Sequence, residues 1–297
     1  MDQLKKNLTV GFIAIVIPLL LLWAWWPKEK EALPADNGFE DFLAAGRIIA
    51  PTPGMPRSVM SGIRPFVSDP TNAEAMKLLQ RGLKKNSRLP LYALADDFAM
   101  ANEYFRGALA LGKGLRIEVL YQWQTLHNTN EVRRLLVDLL RFGHEAYRGG
   151  LFGHARESSL IEQDVGTWLR SLLPDADVAA CREIVQVLSE LDAKADSPAK
   201  MWQRDVVFKG RTNVWQIVVP DGIYHSVRPD FKKQKEEFMK FTITAAQVRK
   251  KSLVDYASRL HELEMGKRPG GFRDLVPKYL KAVPKDPETG KDLSYTF

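Results

Sequence analysis

The chain has 297 residues, a net charge of +7 and a pI of about 9.3. This length limits the protein to one large domain or two small ones. Cys181 is the single cysteine, so an intrachain disulfide is excluded. The excess of positive charge favours contact with an anionic partner, such as nucleic acid, anionic lipid or an acidic protein.

An uncharged segment from Leu8 to Trp26 predicts a transmembrane helix. Its residues give a helix of about 28 Å, close to the thickness of the hydrocarbon core of a bilayer. The segment ends in Trp23-Ala24-Trp25-Trp26, and tryptophan favours the membrane–water interface. The alternatives are a cleaved signal peptide and a buried helix. A signal peptide has a shorter apolar core followed by small residues, so an uncleaved anchor fits the sequence better.

Lysines flank the predicted span asymmetrically. Lys5 and Lys6 precede it, whereas lysine and glutamate are mixed on its far side. This bias predicts that residues 1–7 are a cytoplasmic tail and that the rest of the chain is extracytoplasmic. We therefore expect a single-pass protein of the inner (plasma) membrane that contacts the bilayer through residues 8–26. An external domain excludes nucleic acid as a partner.

Proline is concentrated after the predicted span. Of the 17 prolines, seven fall between Pro27 and Pro70. This density excludes long helices and predicts a semi-rigid linker at residues 27–70, with one short helix from Gly38 to Ile49. The linker would hold the following domain away from the bilayer.

Residues 71–199 are predicted to be helical, because their apolar residues recur with helical spacing. Short breaks separate the helices and favour antiparallel neighbours, which indicates an α-helical bundle or a stack of α-hairpins. The candidate N-caps are Asn130, Asp175 or Asp177, and Ser197. The predicted helices cover Leu91 to Ala108, Leu115 to Leu126, Asn130 to Tyr147, Ala155 to Leu173, and Asp177 to Leu191.

Residues 200–230 leave two interpretations open. β-Branched and aromatic residues between Val206 and Val227 favour a β-hairpin, and a helix broken at Pro220 fits equally well. Residues 231–264 return to helical spacing and predict the longest helix of the domain. Seven basic residues are concentrated on this late helix: Lys232, Lys233, Lys235, Lys240, Arg249, Lys250 and Lys251. They form either a solvated face or a contact surface for anionic lipid headgroups or an acidic protein.

The C-terminal residues form an ordered series of motifs. They are Gly266-Lys267-Arg268-Pro269, Leu275-Val276-Pro277-Lys278-Tyr279-Leu280, and Val283-Pro284-Lys285-Asp286-Pro287. This series resembles the C-terminal ends of type II secretion major pseudopilins. It equally resembles those of a group of uncharacterised bacterial single-span, membrane-anchored helical proteins. In both groups a helix is followed by a Tyr-Leu turn, a Val-Pro-x-Asp-Pro segment and a short closing strand.

The resemblance to the second group covers more of the chain, including the N-terminal anchor and Leu160-Ile161-Glu162, and it implies no activity. The resemblance to pseudopilins is local. Their processing site has Gly before the mature helix and Glu five residues on, whereas Gly11-Phe12 is followed here by Val16 at that place. Pro27 also stops the helix. The resemblance thus implies a small irregular or β tail after the long helix, within residues 231–297.

Two sets of residues are candidates for metal or catalytic chemistry. The resemblance to pseudopilins, in which this neighbourhood binds calcium, implies Asp286, Glu288 and Asp292 as oxygen ligands. The alternative for these three residues is a turn, which their composition favours.

The second set is His154, Glu157 and Glu162, which would act as metal ligands or as acid–base groups on one helix. His154 and Glu157 share a face, and Glu162 lies about 100° from Glu157 around the helix. The alternative is a solvated or salt-bridged helix face. The dipeptide His144-Glu145 matches the start of a zinc-protease motif, but Arg148 stands where the second histidine belongs.

Together these features predict a mainly α protein with an N-terminal transmembrane helix, a helical bundle or α-hairpin stack, a long late helix and a small C-terminal tail. We expect a membrane-anchored extracytoplasmic protein that acts by protein–protein contacts, as a scaffold or an envelope-assembly component. The alternative function is that of a membrane-tethered hydrolase or metal enzyme centred on His154, Glu157 and Glu162. The first function involves no catalysis and no cofactor, and its protein partner is not indicated.

Overall fold

Helices dominate the computed structural model, which describes residues 33–49, 66–67, 69–91, 94, 98–212 and 229–297. The prediction of a mainly α fold is confirmed, and the described residues include no β-strand. The helices are α1 (Phe39–Ile49), α2 (Ala73–Leu83), α3 (Phe98–Gln124), α4 (Thr129–Glu145), α5 (Phe152–Leu172), α6 (Val178–Lys194), α7 (Pro198–Thr212), α8 (Pro229–Met265) and α9 (Phe272–Leu275).

The predicted location, a single-pass protein of the inner membrane, is contradicted by the helices of the described residues. None of them combines the length and the apolar character that crossing a membrane requires. The longest, α8, has 37 residues, but charged side chains such as Lys232, Glu236 and Arg249 occur along it. The segment predicted to span the bilayer, residues 8–26, and the cytoplasmic tail at residues 1–7 lie outside the described residues.

The helices pack side by side in an order that differs from their order in the sequence. Helix α1 lies between α2 and α3, α3 packs on α4, and α4 packs on α5. The long helix α8 then packs against both α5 and α6, so it separates two helices that are consecutive in the chain. One continuous apolar core runs through this arrangement, from Phe42 of α1 to Leu260 of α8.

Helix α1 corrects the interpretation of residues 27–70 as a linker. The short helix predicted there is present, but it is part of the core, with Phe42 and Leu43 buried. A Cβ added to Gly46 would lie 2.7 Å from the Cα of Gly107 in α3, so the two backbones touch where the helices cross. The number of prolines did not show that this helix belongs to the core, because a short helix can pack firmly between proline-rich stretches of sequence.

Helix α3 is continuous, although the sequence predicted separate helices on either side of residues 109–114. Gly114, in that stretch, lies at a close contact. A Cβ on Gly114 would come within 2.1 Å of the ring of Phe66. This glycine therefore serves packing, which offsets its cost in helix propensity.

Helix caps follow the predicted chemistry in part. The side chains of Asp177 and Ser197 accept hydrogen bonds from backbone N–H groups at the starts of α6 and α7. Helix α4 is capped by Asn128 rather than by the predicted Asn130. Residues 206–212 belong to α7, so the first part of the hairpin alternative is helical, and residues 213–228 lie outside the described residues.

The C-terminal tail packs on α8. Leu275, Leu280 and Leu293 are buried in the main core. The hydroxyl of Tyr279 donates to Glu264 of α8 at 2.9 Å, and that of Tyr295 donates to Asp255. The closing strand expected from the resemblance is represented by one isolated bridge between Lys285 and Asp292. The tail is thus a folded part of the domain.

We predict that Gly46→Ala lowers the free energy of unfolding by about 1–3 kcal/mol, because the added methyl group cannot fit between α1 and α3. Gly153→Ala is the matched control. A Cβ there would meet only the ring of Phe105, at 3.8 Å, so we expect no loss. Denaturant unfolding of the full-length variants measures both effects. Equal stability of the two variants would contradict the close crossing of α1 and α3.

Candidate functional site

A buried ion-pair network joins three helices at the centre of the domain. Arg249 of α8 is 7% exposed, and its Nη1 donates to Oε2 of Glu162 in α5 at 2.6 Å. Its Nε and Nη2 each lie 3.2 Å from Oδ1 of Asp192 in α6. Lys250 donates to the other oxygen of Asp192 at 2.6 Å. Two carboxylates from two helices therefore neutralise one arginine from the helix between them.

The charges of this network favour the ionised forms of Asp192 and Arg249. Burial alone would raise the pKa of Asp192, but the neighbouring Arg249 and Lys250 outweigh it and hold the pKa below its ordinary value. Burial also disfavours the charged form of Arg249, and here Glu162 and Asp192 prevail and raise the pKa of the guanidinium. The network is therefore a set of fixed charges in the interior.

The network accounts for one of the three predicted catalytic residues, since Glu162 is the partner of Arg249. His154 lies elsewhere: its Nδ1 accepts the N–H of Leu151 at 3.3 Å, and its ring packs against Phe105 and Tyr147. Burial lowers the pKa of His154 to about 4, despite the opposing charge of Asp205. Glu157 is half-buried. The structure does not bring His154, Glu157 and Glu162 together.

The predicted calcium ligands form a turn instead. Oδ1 of Asp286 accepts the backbone N–H groups of Glu288 and Thr289, and these bonds hold the pKa of Asp286 below its ordinary value. Gly290 closes the turn with a φ of 68°. Asp292 is paired with Lys285 at 2.5 Å. In the described part of the chain, no three His, Cys, Asp or Glu side chains are placed to share a metal ion.

A second buried cluster surrounds Glu145 at the end of α4. This carboxylate is 3% exposed, accepts the N–H of Ser87 at 2.7 Å and binds Nζ of Lys194 at 3.2 Å. The neighbouring His144 is 5% exposed, and its Nδ1 lies 3.6 Å from Glu145. Burial raises the pKa of Glu145, but His144, Ser87 and Arg148 together lower it below its ordinary value.

From the sequence, His144 and Glu145 were interpreted only as the start of an incomplete zinc-protease motif. A signal for their burial was present, because Leu136, Leu140 and His144 follow one another at intervals of four and share one face of α4. That face is apolar elsewhere. A histidine there is a polar group inside the core.

The predicted basic stripe on the late helix divides into two groups in the structure. Arg249 and Lys250 point inward and pair with Asp192, and Lys235 is half-buried. The other four are exposed: Lys232, Lys233, Lys240 and Lys251. The seven basic residues therefore do not form one surface for anionic lipid or protein.

An open groove lies between α6, the C-terminal end of α8 and the tail, with a volume of about 1090 Å³. Val185, Leu260, Pro277 and Tyr279 give it an apolar floor. Its charged wall contains four cationic and two anionic side chains: Arg182, Lys194, Lys278 and Lys281, and Glu190 and Glu264.

Glu264 contacts three other side chains of the groove. It binds Arg182 at 2.6 Å and Lys278 at 2.7 Å, and it accepts the hydroxyl of Tyr279. Lys278, Arg182 and Tyr279, in this order of effect, lower the pKa of Glu264 to about 2. Lys281 is exposed.

No protein-family model, curated protein or solved structure matches this chain. The resemblance of the C-terminal residues to pseudopilins and to single-span helical proteins therefore stays a prediction.

We predict that Arg249→Met lowers the free energy of unfolding by about 3–5 kcal/mol, because it leaves the carboxylate of Glu162 buried without its cation, while Asp192 keeps Lys250. The control is Lys232→Met in the same helix, where the pair with Glu236 is exposed at 4.0 Å. There we expect a change of less than about 0.5 kcal/mol. Denaturant unfolding measures both. Two similar losses would show that the Arg249 network does not hold the helices together.

The pH dependence of stability provides a separate prediction. The folded pKa of Asp192 lies below its ordinary value, so its contribution is present above about pH 4 and is lost as pH falls through the folded pKa. Asp192→Asn should therefore flatten the fall in stability between pH 5 and pH 2.

Asp138 is the matched comparison, because burial raises its pKa above the ordinary value, against the hydrogen bond from Gln80 and the charge of Arg134. Its contribution favours the folded state at low pH and is lost as pH rises, so Asp138→Asn should steepen the same fall. Thermal melts at several pH values decide the matter. Slopes that change in the same direction in both variants would contradict the assigned environments.

Proposed function

We propose that the protein acts by protein–protein contacts, as a scaffold or assembly component, and that the groove between α6, α8 and the tail binds an extended acidic segment of a partner protein. The observation that carries this proposal is the combination of an apolar floor with a wall of net positive charge. Such a surface offers hydrophobic anchoring together with a preference for one sign of charge.

The apolar floor supplies the affinity in this proposal. Leu260 and Tyr279 both belong to the main apolar core, and the ring of Tyr279 packs edge-on against His261. Because the hydroxyl of Tyr279 is fixed by Glu264, its ring is already ordered before a partner binds. A preordered aromatic surface loses little side-chain entropy on binding.

The groove wall supplies the selectivity. Lys194 is paired with Glu145 outside the groove, so the other three cations against two carboxylates leave a net charge of +1. This charge favours aspartate- or glutamate-containing segments and disfavours basic ones. These groups are largely solvated, so their effect falls as the salt concentration rises. The volume of the groove, about 1090 Å³, is large enough for a short stretch of extended chain.

The catalytic alternative has less support. Glu162 pairs with Arg249 and His154 accepts a backbone N–H group, so neither is arranged with the other and with Glu157 as an acid–base set.

We predict that an eight-residue fluorescent peptide of alternating glutamate and leucine binds the full-length protein, and that Lys281→Glu weakens this binding about three- to tenfold, because the substitution reverses one charge of the groove wall. Fluorescence anisotropy at two salt concentrations measures the dissociation constant. Lys291→Glu is the matched control, because it makes the same charge change on an exposed lysine of the tail outside the groove.

Two outcomes would overturn this proposal. One is equal weakening by Lys281→Glu and Lys291→Glu, which would indicate attraction by net charge alone. The other is equal binding of a peptide with lysine in place of glutamate, which would show that the groove has no preference for acidic segments.

A further inference from the structure

Two asparagine dipeptides that are distant in the sequence meet beside the start of α1. Asn37 precedes Gly38 in the single Asn-Gly dipeptide of the sequence, and Asn86 precedes Ser87 in the single Asn-Ser dipeptide. Hydrogen bonds join four residues here, which we call the α1 joint: Asn37, Gly38, Ser87 and Arg88. None of them lines the groove between α6, α8 and the tail, so the chemistry of the joint is independent of the proposed function.

An asparagine that is followed by a small residue is chemically labile. The backbone nitrogen of the next residue attacks the side-chain amide carbon, which forms a C–N bond and releases ammonia. Water then opens the five-membered imide at either carbonyl and gives aspartate or isoaspartate. Glycine hinders this ring closure least, because it has no side chain. We propose that Asn37 is a deamidation site that is protected while the α1 joint is closed, and that its conversion prevents the joint from closing again.

The closed joint holds both reacting groups in hydrogen bonds. The attacking nitrogen is that of Gly38, and its N–H donates to Oγ of Ser87 at 3.0 Å in the interior. This bond disfavours the loss of the proton that the attack requires. The side-chain amide of Asn37 is bound twice by the backbone of Arg88: Nδ2 donates to the carbonyl oxygen at 2.8 Å, and Oδ1 accepts the N–H at 3.1 Å. The amide carbon must leave these partners before it can react.

Packing requires the same two residues that make the dipeptide labile. A Cβ added to Gly38 would lie 2.3 Å from Oγ of Ser87 and 2.8 Å from the carbonyl oxygen of Gly82, so a larger residue does not fit without a shift. Asn37 both donates to and accepts from the backbone of Arg88, and a carboxylate of the same length only accepts. The closed joint therefore depends on an Asn-Gly dipeptide.

Deamidation replaces a hydrogen-bond donor of the joint by an acceptor. In aspartate an oxygen stands in place of Nδ2 and faces the carbonyl oxygen of Arg88, where two acceptors repel each other. Isoaspartate also adds a methylene group to the backbone before the tightly packed Gly38. Because ammonia is lost in an excess of water, the amide is not restored. An opening of the joint can thus become permanent, and α1 then loses its attachment to Ser87 and Arg88.

Asn86 is the comparison within the same region. The N–H of Ser87 donates to Oε2 of Glu145 at 2.7 Å, so the nitrogen that would attack Asn86 is also held in a hydrogen bond. The side chain of Asn86 is exposed, and its Oδ1 accepts from Nη2 of Arg148. A carboxylate in this place would still accept that bond. Aspartate is therefore compatible with the structure at residue 86 and incompatible with it at residue 37.

The test is peptide mapping by mass spectrometry of the full-length protein, incubated at mildly alkaline pH in buffer and in urea. We expect conversion of Asn37 to be about tenfold or more slower in buffer, because it requires local opening. Ser87→Ala removes the acceptor of the Gly38 N–H and should raise the rate in buffer about two- to tenfold, the effect of one hydrogen bond. Ser171→Ala is the matched control and should leave the rate unchanged, because its exposed hydroxyl donates to Thr167 within α5.

Two substitutions that imitate the product test its consequence. Asn37→Asp should lower the midpoint of thermal unfolding and speed the hydrogen exchange of the Gly38 amide, because it removes the donor to Arg88. Asn86→Asp makes the same change of charge next to the joint and should leave both measurements unchanged, because it keeps the acceptor of Arg148.

The proposal is overturned if Asn37 is not converted in urea, if it is converted equally fast in buffer and in urea, or if Ser87→Ala and Ser171→Ala have equal rates. It is also overturned if Asn37→Asp is as stable as Asn86→Asp. If Ser87→Ala does not fold, the comparison of buffer with urea and the melts of the two aspartate variants decide.

Discussion

The arrangement of the helices depends on the buried charge of Arg249. Helices α5 and α6 each present a carboxylate to α8, and the guanidinium of Arg249 lies between them. Burial of Glu162 depends on this cation, whereas Asp192 also pairs with Lys250. Apolar packing alone would let α8 slide or rotate along its neighbours, since many helix faces are similar in shape. Hydrogen bonds of fixed geometry from one arginine to two helices specify a single register, at a cost in desolvation.

The same principle recurs elsewhere in the interior. Glu145, at the end of α4, forms an ion pair with Lys194 of α6. Asp196 forms ion pairs with both Arg88 and Arg204. Glu145 and Asp196 are thus matched by cations that include Lys194 and Arg88, from distant parts of the sequence. Side chains committed in this way are poorly suited to acid–base catalysis, because their protonation state is fixed. Among the described residues, exposed charge such as that of Lys281 borders the groove between α6, α8 and the tail.

Local signals in the sequence were sufficient to predict most helices and two of the N-caps, Asp177 and Ser197. Periodicity and capping depend on neighbouring residues, so they can be recognised locally. They failed where the decisive contact is distant. Nothing near Gly46 or Gly107 in the sequence indicates that α1 and α3 cross there, and Glu162 looked available for chemistry until Arg249, 87 residues later, was placed beside it. The groove was equally hidden, since α6, α8 and the tail come together only in three dimensions.

The position of α8 between α5 and α6 also constrains the order in which the protein can form. When α5 and α6 have emerged during synthesis, Glu162 and Asp192 are present but the helix that carries their arginine has not yet been made. These two helices must then keep their charged faces in water and their apolar faces incompletely covered. The central core closes only after the last part of the chain arrives, so assembly is governed by contacts of long sequence separation, which form slowly.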